Sequence, residues 1–148
     1  MESTTRGEET VDKLNSFLRG EISAVETYRQ ALEKLQSSAC RPTLEDCLRS
    51  HDYRVQLLKQ EIRRRGGTPS EGSGPWGAFA KLIEGGAKLF GEKAAIAALE
   101  EGEDHGRDDY KRDVKDLDAQ GKSFVEQNLL SEQLRTHQAM SNLKHASN

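Results

Sequence analysis

One glutamate sets the problem this chain has to solve. Leu14, Leu18, Glu21, Val25, Tyr28, Leu32 and Leu35 recur at spacings of 4, 3, 4, 3, 4 and 3. That unbroken seam is the face a helix turns toward its neighbours in a bundle. Six of its members are apolar or aromatic, and Glu21 interrupts them. An ionised carboxylate in a core is costly unless it is paired, coordinated, protonated or wetted.

The rest of the chain repeats the theme. The first helix is expected over 10–36, with Gly20 inside it costing roughly 1 kcal/mol against Ala. The stretch SSACRPT breaks the pattern. Pro42 suits the first turn of a second helix, and Thr43 with Asp46 reads as a capping box. That helix carries Leu44, Leu48, His51, Val55, Leu58 and Ile62, and His51 interrupts the seam as Glu21 does. It stops at Gly66-Gly67. Arg63, Arg64 and Arg65 fill its last turn, where cations complement the helix dipole, with a phosphate or lipid contact as the alternative.

A connection over 66–91 follows, rich in glycine but carrying Trp76, Phe79, Leu82, Ile83, Leu89 and Phe90. A short helix starting at Pro75 and a strap packed across the bundle are expected, with Trp76 at least half buried. A partner or membrane-surface contact through 75–90, including a homo-oligomer, is the alternative. The third helix carries Ile96, Leu99, Glu103, Gly106, Tyr110, Val114 and Leu117. Gly121 reads as its stop, and Ser123 with Glu126 as a capping box for a fourth helix with Leu130, Leu134, His137 and Met140 inward.

Composition narrows the functional classes. Charged residues make up 32% of the 148 and the hydrophobic set 34%, so the core must be narrow and the helices long. Net charge is −3 with both signs interspersed, which argues against a nucleic-acid partner. No apolar run approaches the ~20 residues of a membrane span. The polar opening, MESTTRGEET, reads as lacking a signal peptide, so a cytoplasmic location is expected. Cys40 and Cys47 form neither a disulfide framework nor a CxxC pair, and Cys47 beside the seam reads as packing.

The two halves echo each other. RGEISAVETY (19–28) and EGEDHGRDDY (101–110) share Gly-Glu with Tyr seven residues after the Glu, and LRSH (48–51) matches LRTH (134–137). Two antiparallel hairpins joined by a long crossover make an all-α, ferritin-like four-helix bundle, one domain with its core at about 10–145. The Glu and Tyr pattern in helices one and three, with a His in each following helix, resembles bacterioferritin and rubrerythrin. The crossover and helix three, GGTPSEGSGPW through LEEGEDHGRDDY, more specifically resemble a bacterial family of ferritin-like bundles described only as a domain of unknown function.

The resemblance implies a metal site of Glu21, His51, Glu103 and His137, with Tyr28 and Tyr110 behind them, holding iron, manganese or zinc. The pattern departs from a di-iron centre, because Leu48 and Leu134 stand where each Glu-x-x-His motif has its Glu. Two Glu and two His still suffice for one metal.

Axial levels test this set. With Gly121 as the turn, Glu103 and His137 lie within roughly 3 Å in height. With Cys40 as the turn, Glu21 and His51 differ by roughly 12 Å, and Tyr28 is the residue level with His51. Helices one and three are expected to run in the same direction, which puts Glu21 and Glu103 at one height. A proton shared with a histidine, His137 on Glu103, is the favoured relief, ahead of a bound metal or water entry. Three functions stand open: a structural, interaction or stress-related bundle without efficient redox turnover, a residual metal-binding protein, and a di-iron oxidase or iron store.

Overall fold

The first helix, α1, runs over Glu2–Lys34. It begins eight residues before the expected start at Thr10. Nothing in 2–9 breaks a helix except Gly7. Thr10 is instead buried inside the helix, and its hydroxyl accepts the Asp118 backbone N–H at 2.9 Å. The structure, a computed structural model, describes residues 2–36, 38–74 and 91–146. The expectations for Trp76 and for a short helix after Pro75 fall outside the described residues.

The second helix, α2, spans Arg41–Arg64 with Pro42 in its first turn, as expected. The capping box at Thr43 does not form: Cys40 is the N-cap, and the Ser38 hydroxyl accepts its N–H at 2.9 Å. The helix ends at Arg65, and Gly66 takes φ +81°, the left-handed conformation a C-terminal glycine supplies. The basic run is largely consumed by ion pairs. Arg64 and Arg65 both reach Glu61, at 2.6 and 2.9 Å, and Arg65 forks onto Asp118 at 2.7 and 2.9 Å.

Residues 66–74 then turn back along α1. Asn15 holds this return by donating to the Thr68 carbonyl at 3.1 Å and accepting from the Ser70 N–H at 2.8 Å. Farther on, Ser73 donates to Glu26 at 3.2 Å. The third helix, α3, spans Glu92–Asp113 and tightens into a 3₁₀ turn at Val114–Asp116.

The fourth rod is α4 (Ala119–Phe124), a π-helical stretch Val125–Leu130, and α5 (Ser131–Ala146). Gly121 does not stop a helix here, and Ser123 does not cap one. Asp118 is the N-cap, accepting the Gly121 N–H at 2.7 Å. Gly121 serves a close approach, because a Cβ there would lie 2.8 Å from the Thr10 methyl.

The described residues are thus all-helical: four rods, α1 packed along α2 and α3 along α5. None of these helices is long and apolar enough to cross a membrane. Direction differs from expectation. Gly67 sits beside Val11 at one end, while Ser38 bonds Glu92 at the other. Gly67 and Glu92 therefore lie at opposite ends of the bundle, so α3 runs parallel to α2 and antiparallel to α1. Two apolar clusters result. One holds Leu14, Leu18, Leu58, Ile62, Leu117 and Leu129, and the other Leu32, Leu35, Leu44, Ile96, Leu99 and Met140. Between them lies a polar layer.

Candidate functional site

His51 occupies the centre of that layer. Its Nδ1 lies 2.6 Å from Glu21 Oε2 and its Nε2 lies 2.7 Å from Glu103 Oε2. Both partners are carboxylates that only accept when ionised, so the ring donates from both nitrogens as an imidazolium. The expected height mismatch between Glu21 and His51 shrinks to what a glutamate side chain can span. Glu21 lies 13 residues before the end of α1 at Lys34, and His51 lies 10 after the start of α2 at Arg41. A difference of three residues is about 4.5 Å along the axis, within a glutamate's reach. Tyr28 does not hydrogen-bond His51; the two rings stack at 5.4 Å.

The tyrosines of the sequence echo cross over. Tyr28 donates to Glu103 Oε2 at 2.6 Å, and Tyr110 donates to Glu21 Oε1 at 2.8 Å. Each Tyr serves the glutamate of the other half, which antiparallel helices require and parallel ones forbid. The glycines of the echo have a use as well. A cavity of about 50 Å³ beside Gly20, Ala24 and Gly106 reaches Glu21 and Tyr110. Another of about 40 Å³ beside Ala24 and Gly102 reaches Glu103 and Tyr28. Each has room for a water molecule next to a carboxylate.

Three residues complete the layer that sequence reasoning missed. Arg54, fully buried, donates to Glu21 Oε1 at 3.3 Å, to Thr136 Oγ1 at 3.0 Å, to Ser50 Oγ at 3.2 Å and to Gln133 Oε1. Gln133 Nε2 donates to Glu103 Oε1 at 2.9 Å and to the Glu103 carbonyl at 2.8 Å. Thr136 donates to Glu103 Oε1 at 2.8 Å. Arg54 follows His51 by one turn, and Gly106 lets Gln133 in, since a Cβ there would lie 2.8 Å from its amide nitrogen. The available sequence signal was weak: a polar residue beside an apolar seam usually faces water.

His137, by contrast, stands outside the core. It pairs with Asp104 at 2.5 Å, not with Glu103. The inward face of the fourth rod is Val125, Leu129, Gln133, Thr136 and Met140, while Leu134 is exposed. Its first two spacings are both 4, the mark of the wider π-helical turn at Val125–Leu130. The inward stripe runs one residue ahead of the apolar pair Leu130 and Leu134, so Gln133 takes the place expected for Leu134 and Thr136 the place expected for His137. The turn also lies earlier than Gly121, near Leu117–Asp118, which leaves Gln133 level with Glu103.

Charge in the layer balances. Burial alone would push both carboxyls up, but Arg54 and His51 outweigh it for Glu21, and His51 then Arg54 for Glu103. Both are held low, Glu103 at about 2. Burial and Arg54 push His51 down, yet the two carboxylates win and raise it. Two anions thus face two cations. Lone pairs are also spent: Glu103 accepts from His51, Tyr28, Gln133 and Thr136, which fills the four sites of a carboxylate. No buried side-chain nitrogen or oxygen among the described residues lacks a partner. Cys47 is no nucleophile, since burial and then Glu103 lift its thiol to about 12.

A family model described as a domain of unknown function, DUF2383, matches residues 9–116. The chain belongs to the DUF2383 family. The matched span carries Glu21, Tyr28, His51, Arg54, Glu103 and Tyr110, so this DUF2383 core is drawn mainly from α1, α2 and α3. Gln133 and Thr136 of α5 lie beyond it. No curated protein and no solved structure matches this DUF2383 chain.

Proposed function

We propose that this DUF2383 chain is a ferritin-like bundle whose central layer carries its own cations, making it a structural or interaction module rather than a redox enzyme. The observation that carries this reading is Arg54. Its guanidinium, together with protonated His51, neutralises Glu21 and Glu103 from within the protein.

A metal ion does not suit this donor set. It would have to displace N–H and O–H groups from carboxylate oxygens whose lone pairs are already used. It would also sit beside a buried guanidinium, which cannot give up its proton. The positions facing the glutamates in a Glu-x-x-His geometry are held by His51-x-x-Arg54 and Gln133-x-x-Thr136, which donate hydrogen bonds instead of bridging metals.

Elemental analysis of tag-free protein tests the reading. Wild type, Glu21→Gln and Glu103→Gln should hold the same metal content, with none of it depending on the glutamates. Iron, manganese or zinc that disappears in either variant would overturn it and restore the metal-binding function.

A further inference from the structure

His137 is the residue of the sequence echo that the core does not use, and its surroundings give it another role. We propose that Glu100, Asp104 and His137 form a binding site for a zinc-class divalent cation, on the α3–α5 face and separate from the buried layer. Glu100 and Asp104 are one turn apart on α3, and His137 meets them from α5. One ligand atom from each lies within 4.8 Å of the other two.

Spacing suits a cation of this size. Metal–nitrogen and metal–oxygen bonds of roughly 2.0–2.2 Å in a tetrahedral site put neighbouring ligand atoms about 3.3 Å apart. His137 Nε2 stands 2.5 Å from Asp104 Oδ1 and 3.9 Å from Glu100 Oε1, so small rotations of the side chains bring all three onto one ion. The imidazole of His137 and the Glu100 carboxylate are mostly buried, at 17% and 11% exposure, while Asp104 at 39% leaves an entry path. Three protein ligands leave the fourth position to water.

Two neighbours of opposite demand meet at one atom. His137 Nε2 faces both the Asp104 carboxylate at 2.5 Å and the Arg107 guanidinium at 3.2 Å. Asp104 only accepts and Arg107 only donates, so either protonation state of Nε2 leaves one neighbour opposed. A cation removes the conflict, because Nε2 and Asp104 Oδ1 then both direct lone pairs at it. The competing cations have somewhere to go. Arg107 lies 3.7 Å from Asp104 but bonds Asp108 more closely, at 3.1 Å, and Lys144, which holds Glu100 at 2.9 Å, is 44% exposed.

This site stands apart from the core reading, and the two fail separately. Chelator-treated full-length protein is titrated with Zn²⁺ alone by calorimetry, with thermal melts to show that each variant folds. Wild type should bind one equivalent. His137→Ala and Asp104→Asn should each weaken binding at least about tenfold, the scale on which even outer-shell partners act. Lys144→Ala should tighten it by removing a competitor. His105→Ala and His145→Ala, on exposed histidines, should leave it unchanged. The proposal falls on an absence of saturable binding, on unaltered affinity in His137→Ala, or on equal loss in His105→Ala. Zinc lost in Glu103→Gln but retained in His137→Ala would overturn the core reading as well.

Discussion

Arg54→Met removes one of the two cations from the polar layer and keeps the length and apolar stem of the side chain. The structure allows the cost to be worked out. At 3.3 Å the Arg54–Glu21 attraction is about 5 kcal/mol gross at an effective dielectric near 20, before the desolvation that offsets part of it. The substitution also leaves the Gln133 Oε1 carbonyl without its donor and two carboxylates sharing one imidazolium. Breaking a buried pair from one side costs about 3–5 kcal/mol, a large part of a domain's ~5–15 kcal/mol of stability. Urea denaturation of the single variant should show that loss. The double variant Glu21→Gln/Arg54→Met restores charge balance and should lose less than Arg54→Met alone. A loss below about 1 kcal/mol in the single variant, or no recovery in the double, would refute a charge-balanced core.

The same network fixes a pH profile. Glu103 is lowered from 4.5 to about 2, so its contribution is present above pH 4.5 and disappears as pH falls toward 2. His51 is raised above 6.5, so its contribution is complete below pH 6.5 and is lost as pH climbs through the raised value. Urea midpoints measured across pH should therefore peak between 4.5 and 6.5, and a midpoint still rising above pH 6.5 contradicts a protonated His51. Gly106→Ala would place a Cβ 2.8 Å from Gln133 Nε2, forcing that amide off Glu103. A loss of about 1–3 kcal/mol is expected in the same assay, against no loss and a gain of up to about 1 kcal/mol for Gly7→Ala, a helical position where the space is open.

Local pattern alone carried the seams of the first three helices, the interrupting Glu21, His51 and Glu103, and the Tyr echo. Each reads directly from spacing, because a residue on an apolar stripe faces inward wherever the helix packs. The same logic misplaced His137. Seam counting anchors on the apolar pair Leu130 and Leu134, whereas the buried stripe passes through Val125 and Leu129, in a π-helical stretch that no glycine or proline announces. The stripe runs one residue ahead of that pair, which puts Gln133 and Thr136 in the core and leaves His137 on the flank with Asp104. Direction was equally hidden. The Glu–Tyr spacing is the same whether α1 and α3 run parallel or opposed, and only the placement of Gly67 and Glu92 at opposite ends of the bundle makes Tyr28 meet Glu103 and Tyr110 meet Glu21. Arg54 was the least legible residue of all. A lone arginine next to a seam belongs to water by its own chemistry, and burying it is tolerable only where two carboxylates from other helices converge on the same layer. That convergence is a property of the assembled bundle, not of any one segment of the chain.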